Sequence, residues 1–180
     1  MRIRPEEAIA IVVDYQEKLI PVIHEQETVV QHTKILLEGL KELEVPMIIS
    51  QQYTKGLGET IAPIREVVGE EKAFEKTTFS LWQTEDIRRA ITETGRKKVI
   101  LCGVEAHICV LQTAIDLLAE EYQVYLVQDC IGSRKPNDKK FACKRAMQEG
   151  AFLTTYEAML YELTMGAKNP HFKAISKLTK

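Results

Sequence analysis

The stretch Lys98-Val99-Ile100-Leu101-Cys102-Gly103-Val104-Glu105-Ala106-His107-Ile108-Cys109-Val110-Leu111-Gln112-Thr113-Ala114 decides the fold. Val99 to Cys102 is a continuous apolar run, the pattern of a strand covered on both faces. Gly103 opens a sharp connection, and a helix over residues 108–121 follows, with Cys109 in its first turn. A buried strand leading directly into an apolar helix is half of a βαβ unit. Such units build parallel sheets whose ligands lie outside the carboxyl ends of the strands. Cys109 stands at such an end, where the positive pole of a helix favours thiolate over thiol. That makes it a candidate nucleophile. The competing reading is a small core residue, because free cysteines are among the most buried side chains. From this stretch alone both readings stand.

Working outward, the same alternation repeats. Ala8 to Val13 is a first apolar strand ending at Asp14. Residues 25–44 form a helix, with Val29, Thr33, Leu36, Leu40 and Leu43 at steps of four and three on one face. Pro46 to Ser50 is a second strand, followed by a loop, Gln51-Gln52-Tyr53-Thr54-Lys55-Gly56-Leu57-Gly58-Glu59-Thr60. Ile61 to Val68 is short and fits either period. Ala73 to Lys76 is a brief third strand, and residues 84–94 a helix stopped by Gly95. The fourth strand covers residues 97–102, the fifth Val124 to Val127 with its end at Asp129, and the sixth Ala151 to Thr155. Helices over 138–149 and 157–163 flank the last strand. In the tail, Asn169 caps a helix with Pro170 at its first position. Phe172, Ile175 and Leu178 then dock it on the body or on a neighbouring subunit. The whole predicts an α/β chain with a parallel sheet and helices on both faces.

Composition narrows the class. A chain of 180 residues predicts one domain over 1–180, with a short C-terminal helix at 169–180. Net charge is −2 with both signs interspersed, which points to neither nucleic acid nor an anionic membrane as partner. The first apolar run is short and ends in an acid without a cleavage site, so it reads as a strand and not a signal peptide. Cys102, Cys109, Cys130 and Cys143 form no CxxC pair, which predicts free thiols and a cytoplasmic location.

Three side chains close or follow strands at one sheet edge: Asp14, Lys76 and Cys109. Singly, each has a plain reading, as a turn acid, a surface cation and a core thiol. Together they make chemical sense, since a nucleophilic thiol needs a base for its proton and a cation for its charge. His107 is two residues from Cys109, and residues two apart on a helix do not face each other. It therefore reads as a loop residue lining the site, or as a satisfied polar group. His24, His32 and His171 lack metal-ligand spacing, and Gly56-Leu57-Gly58 is neither a P-loop nor a dinucleotide fingerprint. Cys102 and Cys143 read as core, and Cys130 as a thiol exposed at a strand end. Phe79 and Trp82 either wall an apolar pocket or pack conventionally.

Ile11-Val12-Val13-Asp14-Tyr15-Gln16, then Glu75-Lys76-Thr77-Thr78-Phe79-Ser80, then Cys102 to Ala114, then Val127-Gln128-Asp129-Cys130-Ile131-Gly132-Ser133-Arg134 resembles the isochorismatase-like (cysteine hydrolase) superfamily. The resemblance runs over nearly the whole chain. It is greatest to isochorismatase domain-containing proteins and related bacterial hydrolases. It implies a three-layer α/β/α sandwich with a six-stranded parallel sheet in the order 3-2-1-4-5-6. It also implies a catalytic triad of Asp14, Lys76 and Cys109, with a cis peptide at Val104-Glu105. The turn Val104, Glu105, Ala106 and Cys109 would supply an oxyanion hole from its backbone, and Gln16 would hydrogen-bond near the triad. Nicotinamidase-type members bind a metal after strand two, but Gln51-Gln52-Tyr53-Thr54-Lys55 has no acid or histidine. No metal and no cofactor are therefore expected. True isochorismatases lack the nucleophilic cysteine, so an amide-like carbonyl is expected ahead of a vinyl ether. The implied activity is a cysteine hydrolase working through a covalent acyl-enzyme on a small molecule. Tyr53, Phe79, Trp82 and His107 would line the pocket, and a neighbouring subunit of a homo-oligomer would complete it. A redox-active thiol protein and a catalytically silent oligomeric scaffold are the two rival readings.

Overall fold

Six strands run parallel in one sheet: β1 (Ala8–Val13), β2 (Met47–Gln52), β3 (Phe74–Lys76), β4 (Lys98–Val104), β5 (Gln123–Gly132) and β6 (Phe152–Thr154). The computed structural model describes residues 2–69 and 73–180. Across the sheet the order is β3-β2-β1-β4-β5-β6, as the resemblance implied, and every neighbouring pair is parallel. The helices are α1 (Gln26–Glu42), α2 (Thr54–Leu57), α3 (Ala62–Val68), α4 (Glu85–Glu93), α5 (Leu111–Ala119), α6 (Pro136–Glu149), α7 (Tyr156–Thr164) and α8 (Phe172–Leu178).

The period of two along β1 sends its side chains into two separate cores. Ala8, Ala10 and Val12 pack with Leu36, Leu37 and Leu40 of α1, and with residues of α3, α7 and α8. Ile9, Ile11 and Val13 pack on the opposite face with Ile87 and Ile91 of α4, Ala114 and Leu117 of α5, and Ala142 and Ala146 of α6. All six residues of β1 are buried. A strand needs an unbroken apolar run only when both faces are covered, and that is the three-layer sandwich.

Connectivity then places the site. From β1 the chain steps outward through β2 to β3, and returns to β4 on the other flank of β1. The carboxyl ends of β1 and β4 are therefore a topological switch point, where connections diverge and leave a crevice.

Several boundaries differ from the sequence reading. β4 continues through Gly103 and Val104, so the connection does not begin at Gly103. The Val104–Glu105 peptide bond is cis, and the chain passes at once into a π-helical turn, Ala106–Val110, ahead of α5. The helix thus starts at Ala106 instead of residue 108. β5 runs to Gly132, because Ile131 and Gly132 pair again with Gly103 and Val104 after an irregularity. Gln128 and Asp129 only interrupt its burial, and Cys130 is fully buried, not exposed. The segment 51–60 is not all loop, since β2 extends to Gln52 and α2 follows. At the C-terminus, Asn169 accepts through Oδ1 from the His171 N–H (2.9 Å) in a turn before α8, so Pro170 lies outside the helix. Ile175 of α8 is fully buried in the same core as α1, so the tail docks on its own body.

Gly103 sits where β1 and β4 come closest. Its φ is +138°, and a Cβ there would collide with the Val13 carbonyl and Cα. Gly103→Ala is therefore expected to destabilise by about 3 kcal/mol, from backbone strain plus overpacking. Gly166→Ala, with open space around it, should stay within about 0.5 kcal/mol in urea unfolding.

Candidate active site

Asp14 is the first residue after β1. It takes a left-handed conformation (φ +54°), which Asp tolerates better than most residues and which turns the chain immediately. Its carboxylate is fully buried and held on both oxygens. Oδ1 accepts from Ser50 Oγ (2.7 Å) and Oδ2 from Lys76 Nζ (2.7 Å). Ser50 comes from β2, where it is the register partner of Val13. Lys76 ends β3, and its long side chain crosses the end of β2 to reach Asp14. Both charged side chains are 0% exposed. Nζ also donates to Gln52 Oε1 (2.6 Å) and the Thr78 carbonyl (3.2 Å), and lies 3.6 Å from Cys109 Sγ.

Cys109 arrives from the other flank of the switch point. It is buried, the fourth residue of the π-helical turn that follows β4. Ile108 and Val110 both donate their N–H to the Glu105 carbonyl (3.1 and 3.3 Å), and the intervening Cys109 N–H is skipped. The Glu105 carboxylate is itself held, accepting from the Arg134 N–H (3.0 Å) and Arg134 Nε (3.1 Å). Three strands thus deliver Asp14, Lys76 and Cys109 to one buried cluster.

The electrostatics correct one expectation. The helix end was expected to favour the thiolate. Instead burial, together with the charge and hydrogen bonding of Asp14, pushes the Cys109 thiol up to about 12, against the pull of Lys76. Desolvation leads because it penalises the charged form directly. Cys109 therefore rests as a thiol beside a carboxylate placed to take its proton.

The other candidates scatter. Gln16 is fully buried and meets the cluster through Gln52, the side chain that accepts from Lys76. It clamps the backbone of Gln52, accepting from its N–H (2.7 Å) and donating to its carbonyl (2.9 Å), and donates also to the Gly58 carbonyl (2.7 Å). His107 lies in the π-helical turn and not in a loop. Its Nδ1 is 3.0 Å from Ser133 Oγ, and Nε2 is 3.8 Å from Asp138. Thr78, Phe79, His107, Leu111 and Arg145 wall a cleft of ≈ 520 Å³, which is linked to the cluster through Thr78, whose carbonyl accepts from Lys76. Tyr53 and Phe79 are exposed. Trp82 is placed away from that cleft, edge-on against Tyr122 (ring centroids 5.4 Å), which is the conventional packing alternative. Among the described residues, no group of three or more His, Cys, Asp or Glu is arranged to hold a metal ion. Sequence reasoning missed Ser50 and Gln52. Both are polar, two apart at the end of an apolar strand and hence on one face, a signal that was available.

A family model described as the isochorismatase domain matches residues 8–158. Isochorismatase domain-containing protein 2 of Danio rerio is 38% identical over 180 residues, covering 98% of this chain and 89% of the relative. The secreted isochorismatase effector Isc1 of Phytophthora sojae is 37% identical over 183 residues, covering 99% of this chain and 87% of the relative. Among solved structures, one described as the MAR1 ribonuclease of Caenorhabditis elegans superposes with a TM-score of 0.93. It is 37% identical and covers 99% of this chain and 92% of its own.

A thiol held at about 12 should be alkylated ever faster as pH rises, without levelling near ~8.5 as an ordinary cysteine does. Iodoacetamide labelling of Cys109, followed by peptide mass spectrometry, should rise about tenfold per pH unit through pH ~10. A plateau below pH ~9 would contradict the resting thiol.

Proposed function

The chain belongs to the isochorismatase family, and from that premise we propose that it is a cysteine-dependent hydrolase of small amide-like carbonyl compounds, working through a covalent acyl-enzyme. The observation that carries the reading is the buried cluster in which Lys76 Nζ joins Asp14 at 2.7 Å and approaches Cys109 Sγ at 3.6 Å.

Each residue has a step. As a carbonyl carbon approaches, Asp14 takes the thiol proton and the Cys109 sulfur forms a bond to that carbon. Lys76 offsets the negative charge in the cluster throughout. The tetrahedral oxyanion is held by backbone N–H groups of the turn after β4, those of Ala106 and Cys109. The Cys109 N–H lies in the turn that also presents the sulfur, so one segment would supply both nucleophile and oxyanion donor. When the intermediate collapses, the carbon–nitrogen bond breaks and the amine leaves with the proton held by Asp14. Water then attacks the thioester, giving a proton back through Asp14, and the acid product departs as Cys109 regains its thiol. One lost oxyanion donor costs ~10²–10³ in rate. The nucleophile should matter more than that.

The substrate fills the cleft between Phe79 and His107. Exposed Phe79 gives the cleft an apolar wall that a second copy of the chain would cover. Four unpaired cysteines fit a reducing, cytoplasmic compartment. The C. elegans relative is described as a ribonuclease, and RNA accordingly joins the test panel.

A panel of small amides, carbamoyl compounds, nitriles and RNA provides the test. Turnover of at least one carbonyl compound is expected, with kcat/KM falling at least ~10³-fold in Cys109→Ala. Turnover that survives this substitution unchanged, or cleavage of RNA alone and independently of Cys109, would overturn the reading.

A further inference from the structure

Lys76 has more acceptors than hydrogens. An ammonium carries three N–H donors. Around Nζ lie Gln52 Oε1 (2.6 Å), Asp14 Oδ2 (2.7 Å), the Thr78 carbonyl (3.2 Å) and Cys109 Sγ (3.6 Å). All four lie within hydrogen-bond distance, the sulfur included, so three hydrogens are shared among four acceptors. The shortest of the four is Gln52, which none of the catalytic steps above uses.

Gln52 is placed with care. Gln16 holds its backbone on both sides, at the N–H (2.7 Å) and the carbonyl (2.9 Å). Its side-chain amide is oriented as well, because Nε2 donates to the Thr77 carbonyl (3.0 Å) and Oε1 must then face Lys76. The amide therefore presents a fixed, neutral acceptor to the ammonium. The charged groups acting on Cys109 are Asp14, at the end of β1, and Lys76, at the end of β3. His107, in the same turn as Cys109, faces Ser133 and Asp138.

We propose that Gln52 is a positioning residue that restrains Cys109: by competing for the three Lys76 hydrogens, it weakens the share that the sulfur receives. The thiol then keeps its proton until a bound carbonyl compound draws the sulfur forward and Asp14 accepts the proton. The inference deepens the function proposed above and rests on the same cluster, but it concerns the thiol's resting state and not turnover.

Two variants test it by opposite signs. In Gln52→Leu the backbone clamp by Gln16 is kept and the acceptor is removed, so one Lys76 hydrogen becomes available to the sulfur. The pH–rate profile for iodoacetamide alkylation of Cys109 should move down by about one pH unit. The rate at fixed pH should rise about threefold, since a tenfold gain in thiolate is partly offset by its weaker nucleophilicity. In Gln52→Glu the acceptor stays and a negative charge is added, so the profile should move up and labelling should slow. A merely structural role would slow or leave unchanged both variants without moving the profile, and either result overturns the proposal. Peptide mapping separates Cys109 from the half-buried Cys143 and the fully buried Cys102 and Cys130. If carbonyl turnover depends on Cys109 while the profiles coincide, this inference alone fails. If the profiles separate as expected while no carbonyl compound is turned over, only the functional reading fails.

Discussion

The buried pair between Asp14 and Lys76 is the interaction on which the rest of the site depends. Its 2.7 Å contact joins two side chains with no solvent exposure. Removing both charges from water costs several kcal/mol per ion, and the attraction between them recovers that only with good geometry and further hydrogen bonds. The structure supplies those bonds. Ser50 takes the second oxygen of Asp14, while Gln52 and the Thr78 carbonyl take further hydrogens of Lys76. An apolar pair would hold the strands together as well or better, so stability is a poor reason for these residues. A thiol nearby that must lose and regain a proton is a better one.

That pair also explains why the strand order matters. Asp14 and Lys76 end strands separated by β2, whose last residues provide Ser50 and Gln52 as bridges. Cys109 enters from β4, on the opposite flank of β1, because the chain reverses direction there. No two of the three residues are near in sequence. Gly103 lets β4 approach β1 closely just before the turn, and the Arg134–Glu105 contact ties the turn to the end of β5. The same environment that gathers the cluster keeps the sulfur protonated, because burial and the Asp14 carboxylate both oppose a thiolate. On the function proposed above, such a site would be activated by its substrate instead of standing activated.

Much of this was legible before any coordinates. Apolar runs at Ala8–Val13 and Val99–Cys102 mark strands buried on both faces, and the spacing in α1 marks an amphipathic helix. Asp14, Lys76 and Cys109 stand out by position, because a parallel sheet gathers strand ends at one edge. What stayed hidden depends on non-local pairing. β5 looks finished at Gln128 and Asp129, and only renewed pairing with Gly103 and Val104 carries it to Gly132. The π-helical turn at Ala106–Val110 has no composition of its own. The protonation of Cys109 cannot be read from its helix position, since it is governed first by burial and then by an acid 95 residues away in the chain. Gln52 appeared as one polar residue among several in a presumed loop, and its role exists only because Gln16 and Lys76 converge on it.

On the proposed function, Cys109 becomes covalently attached to a carbonyl fragment, with Asp14 as its proton acceptor. This attachment is tested most directly by acid-quenching the protein during turnover of a small amide and mapping the trapped mass. The expected result is an acyl group on Cys109, hydroxylamine-sensitive as a thioester is, and forming far more slowly in Asp14→Asn. An acyl group on another cysteine, or one on Cys109 that forms equally fast without the Asp14 carboxylate, would contradict the account.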